Sequence, residues 1–161
     1  MNDLNKNYYY TGREWPYKNV IPRIIVEEYK EDEKTHELRD YKIYNFNGKP
    51  KFIQVDYNRF AGHKRKIFDL NWEECGFKYL YSSDDTIIEK PKNLDLMLRL
   101  AEKISNGIPF LRTDFYEINN KVYFGETTFF PEAGFAKFEP EIVDEELGKL
   151  IDLQYGETHE K

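Results

Sequence analysis

The apolar positions of this chain fall into short runs divided by polar turns. Residues 22–29, PRIIVEEY, place Ile24, Ile25 and Val26 behind a proline, a β-branched run that favours a strand, with Glu27 and Glu28 at its end. The polar residues 30–39 then read as a solvated loop. Residues 40–46 and 51–57 predict two more strands about Asn47-Gly48, a pair that tolerates the positive φ of a primed hairpin turn. Residues 60–90 read as irregular, with Gly62, Gly76 and a turn-forming cluster at 82–85. Leu94, Met97, Leu98, Ala101 and Ile104 follow helical spacing and predict a helix over 93–106, capped by Asn93 and stopped by Asn106-Gly107 with Pro109 beyond. Residues 110–118 and 121–128 predict a second hairpin about Asn119-Asn120, and a weaker helix closes the pattern at 144–153. That order predicts an α+β fold, a largely antiparallel sheet covered by helices on one face. Residues 1–19 have no period; their Tyr8–Tyr10 and Trp15–Tyr17 clusters read as a lead-in packed on the body, with a polar tail expected at 154–161.

Composition narrows the function. The chain has 161 residues, a net charge of −6 and 17% aromatics, enough large side chains to fill one core. An acidic balance argues against a general nucleic-acid binder, which shows a basic face. No apolar run is long enough to span a membrane and the polar N-terminus is no secretory signal, so a cytoplasmic protein is expected. One cysteine, Cys75, allows no internal disulfide, and three scattered histidines lack the spacing of a zinc site. Neither a GxGxxG nor a GxxxxGK[ST] loop is present, and there is no HExxH metal motif.

The acidic hairpin carries the candidate chemistry. Arg112 and Asp114 are two apart, as are Glu126 and Thr128, so within each strand both side chains leave the same face. Whether the two pairs share a face depends on the turn. A two-residue Asn119-Asn120 loop puts Asp114 and Glu126 on opposite faces, whereas a three-residue loop puts all four together. In the shared arrangement, two carboxylates and a hydroxyl offer hard oxygen ligands to Mg²⁺, with Arg112 beside them to offset phosphoryl charge. The alternative is a solvated hairpin face with an Arg–Asp pair. Glu27 and Glu28 suit a hinge that receives an adenine amino group or a ribose hydroxyl. Lys42 and Arg59 are candidates to reach phosphates. For glycosyl transfer the expected Asp-x-Asp metal motif is missing; Asp84 and Asp85 are adjacent in a loop.

Taken in order, VEEY (26–29), DYKIYNFNGK (40–49), VDYNRF (55–60), KPKNL (90–94), FLRTDFY (110–116) and VYFGETTFFPEAG (122–134) resemble the TupA-like branch of the ATP-grasp superfamily over residues 14–153. The resemblance implies an ATP-grasp C-terminal lobe at 20–153, associated with bacterial cell-surface polysaccharide and teichuronopeptide synthesis, where relatives are sometimes labelled glycosyltransferases. It implies ATP and Mg²⁺ as cofactors and a carboxylate and an amine as substrates, joined through an acyl phosphate. In its terms Glu27 is the hinge acid with Glu28 adjacent, and Lys42 and Arg59 contact phosphate or substrate. Arg112 steadies phosphoryl transfer as the catalytic residue, and Asp114 and Glu126 hold the metal. Thr128 stands where many relatives carry Asn. The upstream half of such a nucleotide site, with its glycine-containing loop and lysine, has no counterpart here. The expectation is therefore a lobe, completed by another polypeptide or a second copy of the chain, or else a non-catalytic scaffold.

Overall fold

A computed structural model describes residues 6–32, 38–58 and 62–156. A five-stranded antiparallel sheet runs in the order β3-β2-β1-β5-β6. Its strands are β1 (Asp40–Phe46), β2 (Lys49–Tyr57), β3 (Lys64–Phe68), β5 (Phe110–Ile118) and β6 (Lys121–Thr128). Two short strands, β4 (Lys78–Tyr79) and β7 (Phe138–Glu139), pair with each other in a second sheet. The helices are α1 (Tyr9–Gly12), α2 (Leu94–Ser105) and α3 (Ile142–Gly148), and among the described residues none is long and apolar enough to cross a membrane. The α+β class and its antiparallel sheet match the sequence expectation.

Period-two alternation sorts the sheet into two unlike faces. One presents Tyr41, Ile43, Ile53, Val55 and Phe115 to the Leu94, Met97 and Ala101 side of α2. The other carries Tyr44, Phe46 and Phe52 at one end, packed with Tyr79, Leu147 and Ile151, and charged side chains at the other. Helices therefore sit on both faces, because α3 and the segment after it bury their apolar side on the second face rather than joining α2. That helix covers Ile142–Gly148 and so starts and stops earlier than its expected 144–153.

Three local expectations change. Residues 22–29 join no ladder: Ile24, Ile25 and Val26 are 72–89% exposed, because β-propensity yields no strand where nothing pairs with it. The segment read as irregular supplies β3, whose Lys64-Arg65-Lys66 run hides the period; Arg65 and Lys66 are nonetheless buried, each beside a carboxylate. Asn93 makes no side-chain cap on α2; its amide donates to the Asn120 carbonyl instead, at 3.0 Å. The Glu117 carboxylate accepts from the backbone N–H groups of Lys92 and Asn93, an anion placed where the helix dipole favours one.

Both hairpins turn on two residues at positive φ, Asn47 (48°) with Gly48 (70°), and Asn119 (51°) with Asn120 (61°). A Cβ on Gly48 would also lie 2.5 Å from the Tyr155 hydroxyl. Gly48→Ala is therefore expected to lower stability by about 1 kcal/mol, read as a fall in the urea midpoint.

Candidate functional site

The Asn119-Asn120 turn has two residues, the case that separates the two acids in a regular ladder. A bulge reverses the outcome. Phe115 pairs with Phe124, but Thr113 pairs with Thr127, so Gly125 and Glu126 together oppose the single Asp114. Beyond the bulge Arg112 pairs with Thr128, and Arg112, Asp114, Glu126 and Thr128 stand on one face after all. Gly125 permits this close fit: a Cβ there would lie 2.9 Å from the Tyr116 ring and 3.2 Å from the Asp114 carbonyl oxygen. The first hairpin uses the same device, with a shift between Tyr44 and Asn45.

Arg112 is the centre of the resulting cluster. Its Nε and Nη2 donate to the two oxygens of Asp114, both at 2.8 Å, and Nη2 also reaches Glu126 Oε1 at 3.0 Å. Lys42, on β1 directly opposite Asp114, donates to Asp114 Oδ2 and sits 2.6 Å from Asp40 Oδ2. Asp114 is 1% exposed, while the side chain of Glu126 is 63% exposed. The buried acid is thus held by three hydrogen bonds and the exposed one by a single bond to Arg112. Burial alone would lower the Arg112 pKa, but Asp114 and Glu126 more than compensate and the guanidinium is held firmly charged.

A second pair extends the cluster across the sheet. Arg65 on β3 forks onto Asp56 of β2 at 2.7 and 3.1 Å, and its guanidinium lies over the rings of Tyr79 and Tyr81. His63 stacks on Tyr81 and places Nε2 3.4 Å from Asp56. Glu132 approaches Arg65 to 3.6 Å from a turn in which it and Ala133 both hold positive φ. Burial pushes the Asp56 carboxyl up, yet Arg65, His63 and Lys42 together carry it below its ordinary value. A depressed folded pKa means that the pair stabilises the fold above the unfolded value near 4, and that this is lost as pH falls further. The urea midpoint is therefore expected to drop below about pH 4, and less steeply in Asp56→Asn, which removes the titrating group.

Lys42, Asp56, His63, Arg65, Arg112 and Glu126 floor a cleft of about 1390 Å³, whereas the buried Asp40 and Asp114 do not line it. Tyr8, Glu14 and Tyr17 form one wall, and Thr128, Phe130 and Glu132 another. The lead-in segment is held there by Tyr17, whose ring meets Phe129 edge-on and whose hydroxyl accepts the Phe129 N–H at 3.4 Å, although Tyr10 and Trp15 stay exposed. The model of the TupA-like ATPgrasp family matches residues 1–152. The chain belongs to that family. No curated protein and no solved structure matches it.

In this TupA-like ATP-grasp chain, Lys42, Arg112, Asp114, Glu126 and Thr128 come together as the hairpin spacing allowed. Glu27 and Glu28 do not join them. Both are exposed on the extended segment, outside the cleft lining, and Glu28 pairs with Lys30 at 2.6 Å. Arg59 lies outside the described residues. Asp84 is held in its own loop by the Tyr57 hydroxyl and the Thr86 N–H, apart from the cleft. Sequence reasoning passed over Asp40, Asp56, His63 and Arg65. The one available signal was the period-two step from Lys42 to Asp40; the rest meet only through strand pairing.

Do these residues suit Mg²⁺? Among the described residues no three His, Cys, Asp or Glu side chains group as a self-sufficient metal cage. Mg²⁺ that arrives with a nucleotide does not need one, since one or two carboxylates and the phosphates suffice. The charge count fits as well. Asp40, Asp56, Asp114, Glu126 and Glu132 share the permanent cations Lys42, Arg65 and Arg112. With Glu14, Lys6 and Arg23 of the cleft lining added, six carboxylates face five cations, an excess of one negative charge. The cleft therefore offers Glu126 and the Thr128 hydroxyl directly to a divalent cation that arrives with polyphosphate, while Asp114 sits behind them with both oxygens on Arg112 and Lys42.

Proposed function

We propose that the chain binds Mg·ATP in this cleft and takes part in ATP-driven ligation of a carboxylate to an amine, in cell-surface polysaccharide assembly. The observation that carries the reading is the Arg112 fork, which joins Asp114 and Glu126 on one face beside Lys42. Glu126 and the Thr128 hydroxyl would hold Mg²⁺, with Asp114 behind them. When bound, the ion would offset charge on the nucleotide phosphates.

The chain's own residues then have separable tasks. Lys42 and Arg112 supply positive charge where a γ-phosphoryl group passes from ATP to a substrate carboxylate oxygen, with ADP leaving. Because both cations are locked to Asp114, they need no reorganisation as charge develops, which is how such sites lower a barrier. Arg112 would also steady the oxyanion formed when the amine attacks the acyl carbon and phosphate departs. Arg65, held by Asp56, adds a third fixed cation to the cleft floor.

Calorimetric titration with Mg·ATP tests the reading. The intact chain is expected to bind, and Glu126→Gln to bind about tenfold more weakly, a change of roughly 1.4 kcal/mol, with an unchanged melting temperature because the side chain is exposed. Equal binding by both proteins would remove the site assignment. Absence of binding by the intact chain would favour a scaffold reading, for which the full engagement of both Asp114 oxygens speaks.

A further inference from the structure

A second pocket, of about 490 Å³, opens on the same sheet face beyond the charged cluster. Its size is that of an ordinary small-molecule site. The sheet supplies Tyr44, Phe46, Phe52 and Phe110 as its floor. Phe129, Phe130 and Phe138 come from the segment after β6, and Leu147 and Ile151 close it from α3 and the residues beyond. Among the described residues Asp144 is the one charged residue of the lining, and it is exposed.

The pocket and the charged cleft adjoin one another, although Arg112 itself does not line the pocket. Phe130 lines both, and Tyr44 on the pocket floor is the direct strand partner of Arg112. Tyr79, another lining residue, has its phenol pushed up to about 12 by burial and by the Glu132 carboxylate. Arg112 uses Nε and Nη2 for its carboxylate partners, while Nη1 takes part in none of those bonds.

Polar recognition inside the pocket is scarce. The Tyr44 hydroxyl donates to Gln54 Oε1 at 2.8 Å, which leaves it no proton for a ligand. The Tyr79 hydroxyl is directed to the Pro131 carbonyl at 3.4 Å. A sugar acid would bury its ring hydroxyls here without partners, at a cost of about 1–3 kcal/mol for each. A hydrocarbon or aromatic group would instead gain from every ring it meets.

We propose that this pocket is a subsite for the apolar body of a carboxylic acid substrate, whose carboxylate lies at the Arg112 end beside the nucleotide cleft. The assignment of that acid as a substrate rests on the ligation reading above, and the pocket deepens it: the substrate class is a hydrophobic acid, such as an arylalkanoic acid, rather than a uronic acid. Aromatic stacking with the Phe and Tyr lining would hold the body, and Nη1 of Arg112 would select the acid over the corresponding alcohol.

The test is calorimetry of the full chain with 3-phenylpropanoate, 3-phenylpropanol and glucuronate, with Mg·ATP titrated separately. Phenylpropanoate is expected to bind at least about tenfold more tightly than the alcohol, and glucuronate not to bind in the pocket. Gly148→Trp places an indole at the pocket wall from a position where a Cβ meets nothing within 4 Å. It is expected to abolish phenylpropanoate binding and leave Mg·ATP binding intact. Ala136→Leu fills the opposite wall and carries the same comparison should the tryptophan variant lose its circular dichroism. Phenylpropanoate binding unchanged in the folded variants, tighter binding of glucuronate, or no arylalkanoate binding at millimolar concentration would each overturn the subsite. The Mg·ATP titration fails or succeeds independently of these, so loss of the ligation reading is distinguishable from loss of the pocket.

Discussion

Asp114→Ala is expected to destabilise the chain by about 3–5 kcal/mol and to eliminate Mg·ATP binding. The stability loss follows from burial. Asp114 is 1% exposed and meets Arg112 through two hydrogen bonds and Lys42 through a third. Removing it leaves two largely buried cations facing each other with fewer acceptors, the costly way to break a buried ion pair. Asp40 still faces Lys42 and Glu126 still reaches Arg112, which keeps the loss finite. The double variant Arg112→Met/Asp114→Leu separates fold from function. It removes charge and countercharge together, so the urea midpoint is expected to recover by at least about 2 kcal/mol relative to Asp114→Ala, while Mg·ATP binding stays absent. If the double variant binds Mg·ATP like the intact chain, the cluster is structural and the nucleotide site lies elsewhere.

Gly125→Val is expected to cost about 1–3 kcal/mol and to weaken Mg·ATP binding more than its stability loss explains. Its side chain would press on the Tyr116 ring and on the Asp114 backbone, neither of which can retreat without disturbing the bulge. A β-branched residue also favours the regular ladder, in which Gly125 opposes Asp114 and Glu126 turns to the face covered by α2. Deleting Gly125 is the informative contrast. It removes the extra residue of the bulge and lets Glu126 oppose Asp114 directly, so Glu126 and Thr128 keep their face. Urea titration reads the stability of both proteins, and calorimetry reads their Mg·ATP binding. Deletion should bind more tightly than Gly125→Val; the reverse order would show that register is not what positions Glu126.

The elements legible in sequence share a physical reason. Strands β1, β2, β5 and β6 are bounded by asparagine turns that need positive φ, and α2 repeats its apolar residues on one side. Strand β3 escaped because Lys64, Arg65 and Lys66 read as surface, whereas Arg65 and Lys66 are buried beside Asp56 and Glu74. Conversely, Ile24, Ile25 and Val26 have strand chemistry and no strand partner among the described residues. Propensity describes a segment, but a ladder needs two. The site divides in the same way. Spacing within one strand revealed Arg112 with Asp114 and Glu126 with Thr128, but no spacing rule foresees a bulge. The Asp56–Arg65 fork joins strands whose register only the folded sheet defines.

The Asn47-Gly48 turn has a chemical lifetime as well as a conformation. An asparagine followed by glycine readily closes on the next backbone nitrogen and then opens to an acid, the slow deamidation that ages proteins. Here the Asn47 amide is held at both ends: Nδ2 donates to the Leu150 carbonyl at 2.7 Å, and Oδ1 accepts the Asp152 N–H at 2.9 Å. Folding therefore hinders the rotation that ring closure requires. Once the amide is lost, the donor facing Leu150 becomes an oxygen, and two acceptors confront each other. The segment carrying Ile151 and Leu153, one wall of the aromatic pocket, would then be released by a change in one side chain at the turn beside Phe46 on the pocket floor.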